Sequence, residues 1–159
     1  MTDIFISYAR DDDVPPPDRP DRKGFVTFLD ENIRYEFRDL GPERPVVWRD
    51  VRRISPGDQF TPELEGALKS ASLLVVVLSK NWLASEWCKR ELDTFAKTHP
   101  QDDLRDRIIL VNKRFIDFGE RPQLLQGQVG FNFFSRNNDP QDFSGDHEYF
   151  ERGEAVDTR

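Results

Sequence analysis

The stretch Ser85–Phe95, "SEWCKRELDTF", carries the residues of most chemical interest in this 159-residue chain. Cys88, Leu92, Phe95 and Ala96 fall at i, i+4, i+7 and i+8, the stripe of a helix that faces a core. Trp87 and Glu91 form a second stripe, displaced by about 100° at 3.6 residues per turn, and so stand together at the edge of the buried face. A carboxylate in that position is partly desolvated, its pKa is pushed up, and its charge is available to a bound ligand. A tryptophan four residues earlier supplies a flat wall beside it. The competing reading is structural: Trp87 closes the edge of the core while Glu91 pairs with Lys89, Arg90 or water. Spacing alone leaves both open.

The elements that must position this helix are legible as alternating patterns. Short apolar runs rich in β-branched and aromatic residues stand at Asp3–Ser7, Pro45–Trp48, Ser72–Ser79, Arg107–Asn112 and Gln128–Phe134. Runs of this kind are strands buried on both faces. Between the first two, Phe25, Phe28, Leu29, Ile33 and Phe37 recur at helical spacing. Thr61 and Pro62 read as the N-cap and first position of a second helix, and the Trp87/Glu91 segment is a third. The order βαβαβαβ predicts a parallel sheet covered by helices on both faces. The segment "FIDFGERPQLLQG", with Gly119 and Pro122, reads mostly as loop.

In an open α/β sheet, ligands bind outside the carboxyl ends of the strands where successive crossovers go to opposite sides. For a strand order of 2-1-3-4-5 that point lies between strands one and three, so the loops concerned are Ser7–Arg10 and Ser79–Trp87, the second leading into Glu91. The loop "YARDDDVPPPDRPDRK" after the first strand reads as long, charged and solvated. The one after the second, "RDVRRISPGDQF", is locally basic through Arg49, Arg52 and Arg53, with a turn at Pro56-Gly57. Several chemistries of this fold class lack their residues. No G-x-G-x-x-G follows the first strand, no Walker A sequence exists, the third strand does not end in a phosphate-accepting aspartate, and no G-x-S-x-G is present.

Composition bounds the rest. The length suits one domain. A formal net charge of -7 argues against a nucleic acid as a direct partner and against attraction to a membrane surface. The longest apolar run, Leu73–Leu78, is too short to span a bilayer, and the opening "MTDIFISYARDDD" has no signal-peptide layout, so the chain is expected in the cytoplasm. One cysteine, Cys88, rules out an internal disulfide, and two histidines beside it make no zinc framework. The polar stretch after residue 135 has no convincing closing element and reads as an extension or linker, 136–159, toward a missing downstream domain.

Three segments in order, "DIFISYARDD", "VVWRDVRRISPGDQF" and "LLVVVLSKNWLASEWCKREL", resemble the successive sequence boxes of a Toll/interleukin-1 receptor (TIR) domain of the bacterial style. The resemblance implies a flavodoxin-like three-layer fold over about residues 1–135, with a five-stranded parallel sheet in the order 2-1-3-4-5. It covers Asp3 to Phe95 well and less after that, since the family's final Phe-Trp box is not evident after Phe134. Family members fall into adaptors that act by TIR–TIR association and enzymes that cleave NAD+ at the nicotinamide–ribose bond. The enzymes place a catalytic glutamate in a W-x-x-x-E pattern, which here is Trp87 to Glu91.

Carried onto this sequence, the resemblance makes Glu91 the catalytic residue and NAD+ the substrate, with no prosthetic group and no metal. Nicotinamide in NAD+ is already a cationic leaving group, so one carboxylate that binds ribose hydroxyls and steadies the developing oxocarbenium charge suffices. Trp87 would stack on a base of the dinucleotide. Arg10 would meet a phosphate, Tyr8 and Ser7 would shape the crevice, and Trp48 and Asp50 would line it. Arg52, Arg53, Pro56 and Gly57 match the family's BB loop, which contacts other TIR domains. The activity the resemblance implies is that of an NADase giving ADP-ribose or a cyclic isomer, activated by oligomerisation that a downstream sensor domain drives on a trigger, as in bacterial anti-phage defence, with a non-enzymatic adaptor as the alternative.

Overall fold

The five apolar runs form the strands of a single sheet, β1 (Ile4–Ser7), β2 (Val47–Arg49), β3 (Leu73–Leu78), β4 (Ile108–Asn112) and β5 (Phe131–Asn132). They are ordered β2-β1-β3-β4-β5, and every pair is parallel. This is the predicted topology. The computed structural model describes residues 3–15, 17–18, 20–50, 59–100 and 103–133. Arg52, Arg53, Pro56 and Gly57, and the expected extension 136–159, lie outside the described residues.

Because side chains alternate along a strand, the sheet feeds two cores. Ile4, Ile6, Val75, Val77 and Val111 pack on one face against Phe25, Val26 and Leu29 of α1 (Phe25–Glu36). Phe5, Leu74, Val76, Leu78 and Leu110 pack on the other against α2 (Pro62–Ser70), α3 (Lys80–Ala84) and α4 (Glu86–Thr98). Cys88, Leu92, Phe95 and Ala96 of α4 are all buried there, as the helical stripe predicts. Truncating Leu92 or Phe95 to alanine would cost about 2–5 kcal/mol through lost burial and the cavity left behind. The Thr61 hydroxyl accepts from the Leu64 N–H at 3.2 Å, which confirms the cap of α2.

Three expectations need correction. The stretch Ser79–Trp87 is not all loop: Ser79 accepts the Trp82 N–H at 3.0 Å and starts the short helix α3, which ends where Ser85 caps α4. The start of the segment after β1 is not a solvated loop either. Arg10–Asp13 forms a tight 3-10 turn with Asp12 buried, and Asp13 accepts from the Thr27 N–H and hydroxyl at 2.6 and 2.8 Å. Gly24 lies so close to Asp13 that a Cβ there would stand 2.2 Å from its carbonyl oxygen. Arg49 is not a loop cation but ends β2, pairing with Asp13 at 3.1 Å and Asp30 at 2.8 Å.

The run Gln128–Phe134 yields only two residues of strand. Gly130, at φ +76°, brings the backbone against β4, where a Cβ would meet the Leu110 Cβ at 2.6 Å. The chain therefore turns into the sheet edge late and pairs only Phe131 with Val111 and Asn132 with Asn112. "FIDFGERPQLLQG" holds just two single 3-10 turns, Phe118–Glu120 and Gln123–Leu125, in keeping with its reading as mostly loop.

Candidate active site

At the carboxyl ends of β1 and β3, the crossover through α1 leaves on one face of the sheet and the helices α2 to α4 cover the other. A cleft of about 350 Å³ opens at this switch point, lined among others by Tyr8, Arg10, Asp50, Asn81, Trp87 and Glu91. That volume falls at the lower end of small-molecule sites, roughly 300–1,000 Å³. The structure thus brings together residues from three separate segments that the sequence singled out.

Glu91 lies deeper than its stripe predicts. It is 2% exposed, and its Oε1 accepts a hydrogen bond from the Ser7 hydroxyl at 2.9 Å. Burial is the main cause of a pKa pushed up to about 8; the Ser7 hydrogen bond opposes the rise and the nearby Asp50 charge adds to it. The surface-pairing alternative is not what the neighbours do. Lys89 reaches Glu86 at 3.6 Å, and the Arg90 guanidinium stands over the Phe60 ring at 4.7 Å. Trp87 is half-buried beside Glu91, its ring 5.2 Å from that of Phe60, and its Nε1 finds no hydrogen-bond partner among the described residues.

The other expected residues divide. Tyr8 lines the cleft and donates its hydroxyl to the Asp50 carbonyl at 2.8 Å, which ties the end of β2 to the loop after β1. Its own pKa is pushed up to about 12, chiefly by burial. Arg10 is exposed at the rim, where a phosphate can reach it. Ser7 does not line the cleft; it is fully buried behind Glu91. Trp48 stands apart, with Phe5 and Leu64 in a shallow depression that shares only Asp50 with the cleft. Cys88 shares the cleft wall, and burial pushes its thiol up to about 12, so it is not a nucleophile at neutral pH.

Beneath the cleft lies a group the sequence reading passed over. Asp12, 1% exposed, receives the Ser79 hydroxyl, the Asn81 amide at 3.0 Å and the Lys113 ammonium at 3.3 Å. These four side chains bind the β1 loop to the ends of β3 and β4. The available signal was Ser79 followed by a helical "KNW", a cap pattern. Lys113 gave none, since one lysine after a strand is ordinary. Among the described residues no cluster of His, Cys, Asp and Glu is placed to hold a metal ion. Nor is any helix among them long and apolar enough to cross a membrane.

Comparison with known proteins agrees with the fold. A family model described as a TIR domain matches residues 21–146. The NAD(+) hydrolase TcpC of Escherichia coli O6:H1 is 30% identical over 108 residues, covering 68% of this chain and 29% of that protein. The NAD(+) hydrolase PdTIR of Paracoccus denitrificans is 33% identical over 91 residues, 57% of this chain and 25% of that one. The chain thus spans less than a third of the length of these relatives. Among solved structures, the TIR domain of the Toll-related receptor TRR-2 from Hydra magnipapillata superposes with a TM-score of 0.52 at 16% identity, covering 84% of this chain and 85% of that one, a likeness of fold. With a parallel sheet in the order 2-1-3-4-5 and a family match over most of its length, this chain belongs to the TIR domain family.

Proposed function

We propose that this domain cleaves the nicotinamide–ribose bond of NAD+, with Glu91 as the catalytic carboxylate. The observation that carries the reading is a glutamate buried to 2% exposure yet forming part of the wall of an open cleft, with a single neutral hydrogen-bond donor and no ion-pair partner among the described residues. A structural carboxylate so deeply buried ordinarily has a charged partner. Two relatives named as NAD(+) hydrolases support the same reading.

The chemistry follows from the charges. The C1′–N bond breaks with its electron pair going to the pyridinium nitrogen, so nicotinamide leaves neutral and needs no acid. Positive charge appears on the ribose. Binding the cationic nicotinamide riboside beside Glu91 favours the ionised carboxylate, which then accepts a ribose hydroxyl and stabilises the oxocarbenium ion. Water adding to C1′ gives ADP-ribose and a proton; an adenine nitrogen reaching C1′ first gives a cyclic isomer. Trp87 supplies the aromatic wall for the pyridinium, and Arg10 at the rim takes a phosphate.

The cleft is small for a whole dinucleotide, which favours activity in an assembly in which a second copy completes the site. Arg52 and Arg53 are the residues assigned to that contact. A cytoplasmic effector of this kind acts by depleting NAD+ or releasing a cyclic messenger, the output used in anti-phage defence. The test is NAD+ consumption with product identification, on protein tethered to beads at high density, comparing wild type with Glu91→Ala. Nicotinamide release that is lost in the folded variant is the expected result. Verified assemblies of wild type that release none would overturn it and favour an adaptor acting by TIR–TIR contact.

A further inference from the structure

The polar groups behind Glu91 form a chain that runs from Trp82 through Ser7 to the carboxylate. The Trp82 indole N–H, which can only donate, lies 3.1 Å from Ser7 Oγ. The Ser7 hydroxyl has one hydrogen, and it points to Glu91 Oε1 at 2.9 Å. Ser7 and Trp82 are both fully buried, so water does not compete for either. The indole takes one of the two lone pairs of Ser7 Oγ and polarises its O–H, so the hydroxyl is disposed to donate to Oε1, with the Cys88 thiol the other side chain that hydrogen-bonds to it. In the arrangement where Ser7 donates, a proton held by Glu91 resides on Oε2, which accepts no hydrogen bond from the described residues. Without the indole that bias is lost, and the hydroxyl more readily turns to accept a proton carried on Oε1.

Trp82 is itself held in place. It sits in α3, its backbone N–H donates to Ser79 Oγ at 3.0 Å, and the Ser79 hydroxyl donates to Asp12. We propose that Trp82, which does not line the cleft, is a positioning residue for Glu91: acting through Ser7, it keeps Oε1 an acceptor and leaves Oε2 as the oxygen that meets a ligand hydroxyl. This rests on the reading of Glu91 as the group that meets the ribose.

Among the described residues the groups facing Glu91 are Asp50 after β2, Tyr8 after β1 and Cys88 on α4, with Arg10 and Asp11 on the same cleft. Trp82→Phe alters none of them. The experiment is a carboxyl-carbon NMR titration of the full chain labelled with [13C]glutamate, with Glu91 assigned by loss of its signal in Glu91→Gln. Wild type, Ser7→Ala, Trp82→Phe and the double variant are compared. Trp82→Phe is expected to raise the Glu91 midpoint by about half a pH unit, because polarised chains of hydrogen bonds reinforce one another. Ser7→Ala is expected to raise it at least as far, and the double variant to match Ser7→Ala alone.

Nicotinamide release at pH 7 should fall about 3–10-fold in Trp82→Phe, in kcat more than in KM. An unchanged midpoint in Trp82→Phe, or shifts that simply add in the double variant, would overturn the proposal and leave Trp82 as core packing. If phenylalanine leaves too large a cavity for folding, benzothienylalanine at position 82 keeps the shape without the N–H and is read the same way. Midpoints that move as expected while verified assemblies of wild type release no nicotinamide would uphold the positioning chain and refute the NADase reading.

Discussion

Two carboxylates are buried almost equally at the carboxyl end of this sheet, and their surroundings could hardly differ more. Asp12 is enclosed by a lysine, an amide and a hydroxyl, whereas among the described residues Glu91 has one serine hydroxyl and an open cleft. A satisfied buried charge is architecture: it joins the β1 loop to β3 and β4, and its partners leave it nothing to offer a ligand. An under-partnered one is a reservoir of unfavourable desolvation that a cationic ligand relieves. On the proposed reading of Glu91, the contrast separates scaffold from chemistry.

The largest expected effect comes from breaking the architectural pair. Asp12→Asn leaves the Lys113 ammonium buried without its countercharge and should cost about 3–5 kcal/mol in urea unfolding. Adding Lys113→Met should recover most of that loss, because replacing both partners is far less costly than removing one. A double variant as unstable as the single one would show that Asp12 acts mainly through Ser79 and Asn81.

Glu91 should behave in the opposite sense. Its folded-state pKa is raised to about 8 from an ordinary 4.5, so the folded protein holds this proton more tightly than the unfolded chain. That contribution is complete below pH 4.5 and is lost as pH rises through 8, by on the order of 3–5 kcal/mol. Glu91→Gln removes the titration. Its stability relative to wild type should therefore climb between pH 5 and 8 and level off above, whereas a flat difference would mean that Glu91 is not held as described. The smallest effect is expected at the residue shared by both regions. Asn81 donates to Asp12 yet lines the cleft, so Asn81→Ala should cost about 1 kcal/mol of stability and only a few-fold in nicotinamide release.

The strands, their parallel order and the buried stripe of α4 were legible because period-2 and period-3.6 patterns are set by local residues. Trp87 and Glu91 were legible as a pair for the same reason. What the sequence could not convey was depth: the same spacing allows Glu91 to graze solvent or to sit on Ser7, and only the packing of α3 and α4 against β1 decides. Short α3 was hidden because five residues do not complete a recognisable apolar period. The Asp12–Lys113 pair spans 101 positions and lacks any local pattern. Trp48 was misjudged because ending a strand near the crevice does not fix the side its ring takes.

The most direct test of the central claim is the pH dependence of kcat/KM for nicotinamide release by tethered wild type and by Glu91→Gln, whose side chain keeps the shape but cannot ionise. If the ionised Glu91 carboxylate drives the reaction, wild-type kcat/KM should rise about tenfold per pH unit up to a midpoint near 8 and then level. The glutamine variant should be slower by about 10²–10³-fold at pH 8 and flat across the range. A folded Glu91→Gln protein that releases nicotinamide at the wild-type rate with the same pH profile would contradict the account.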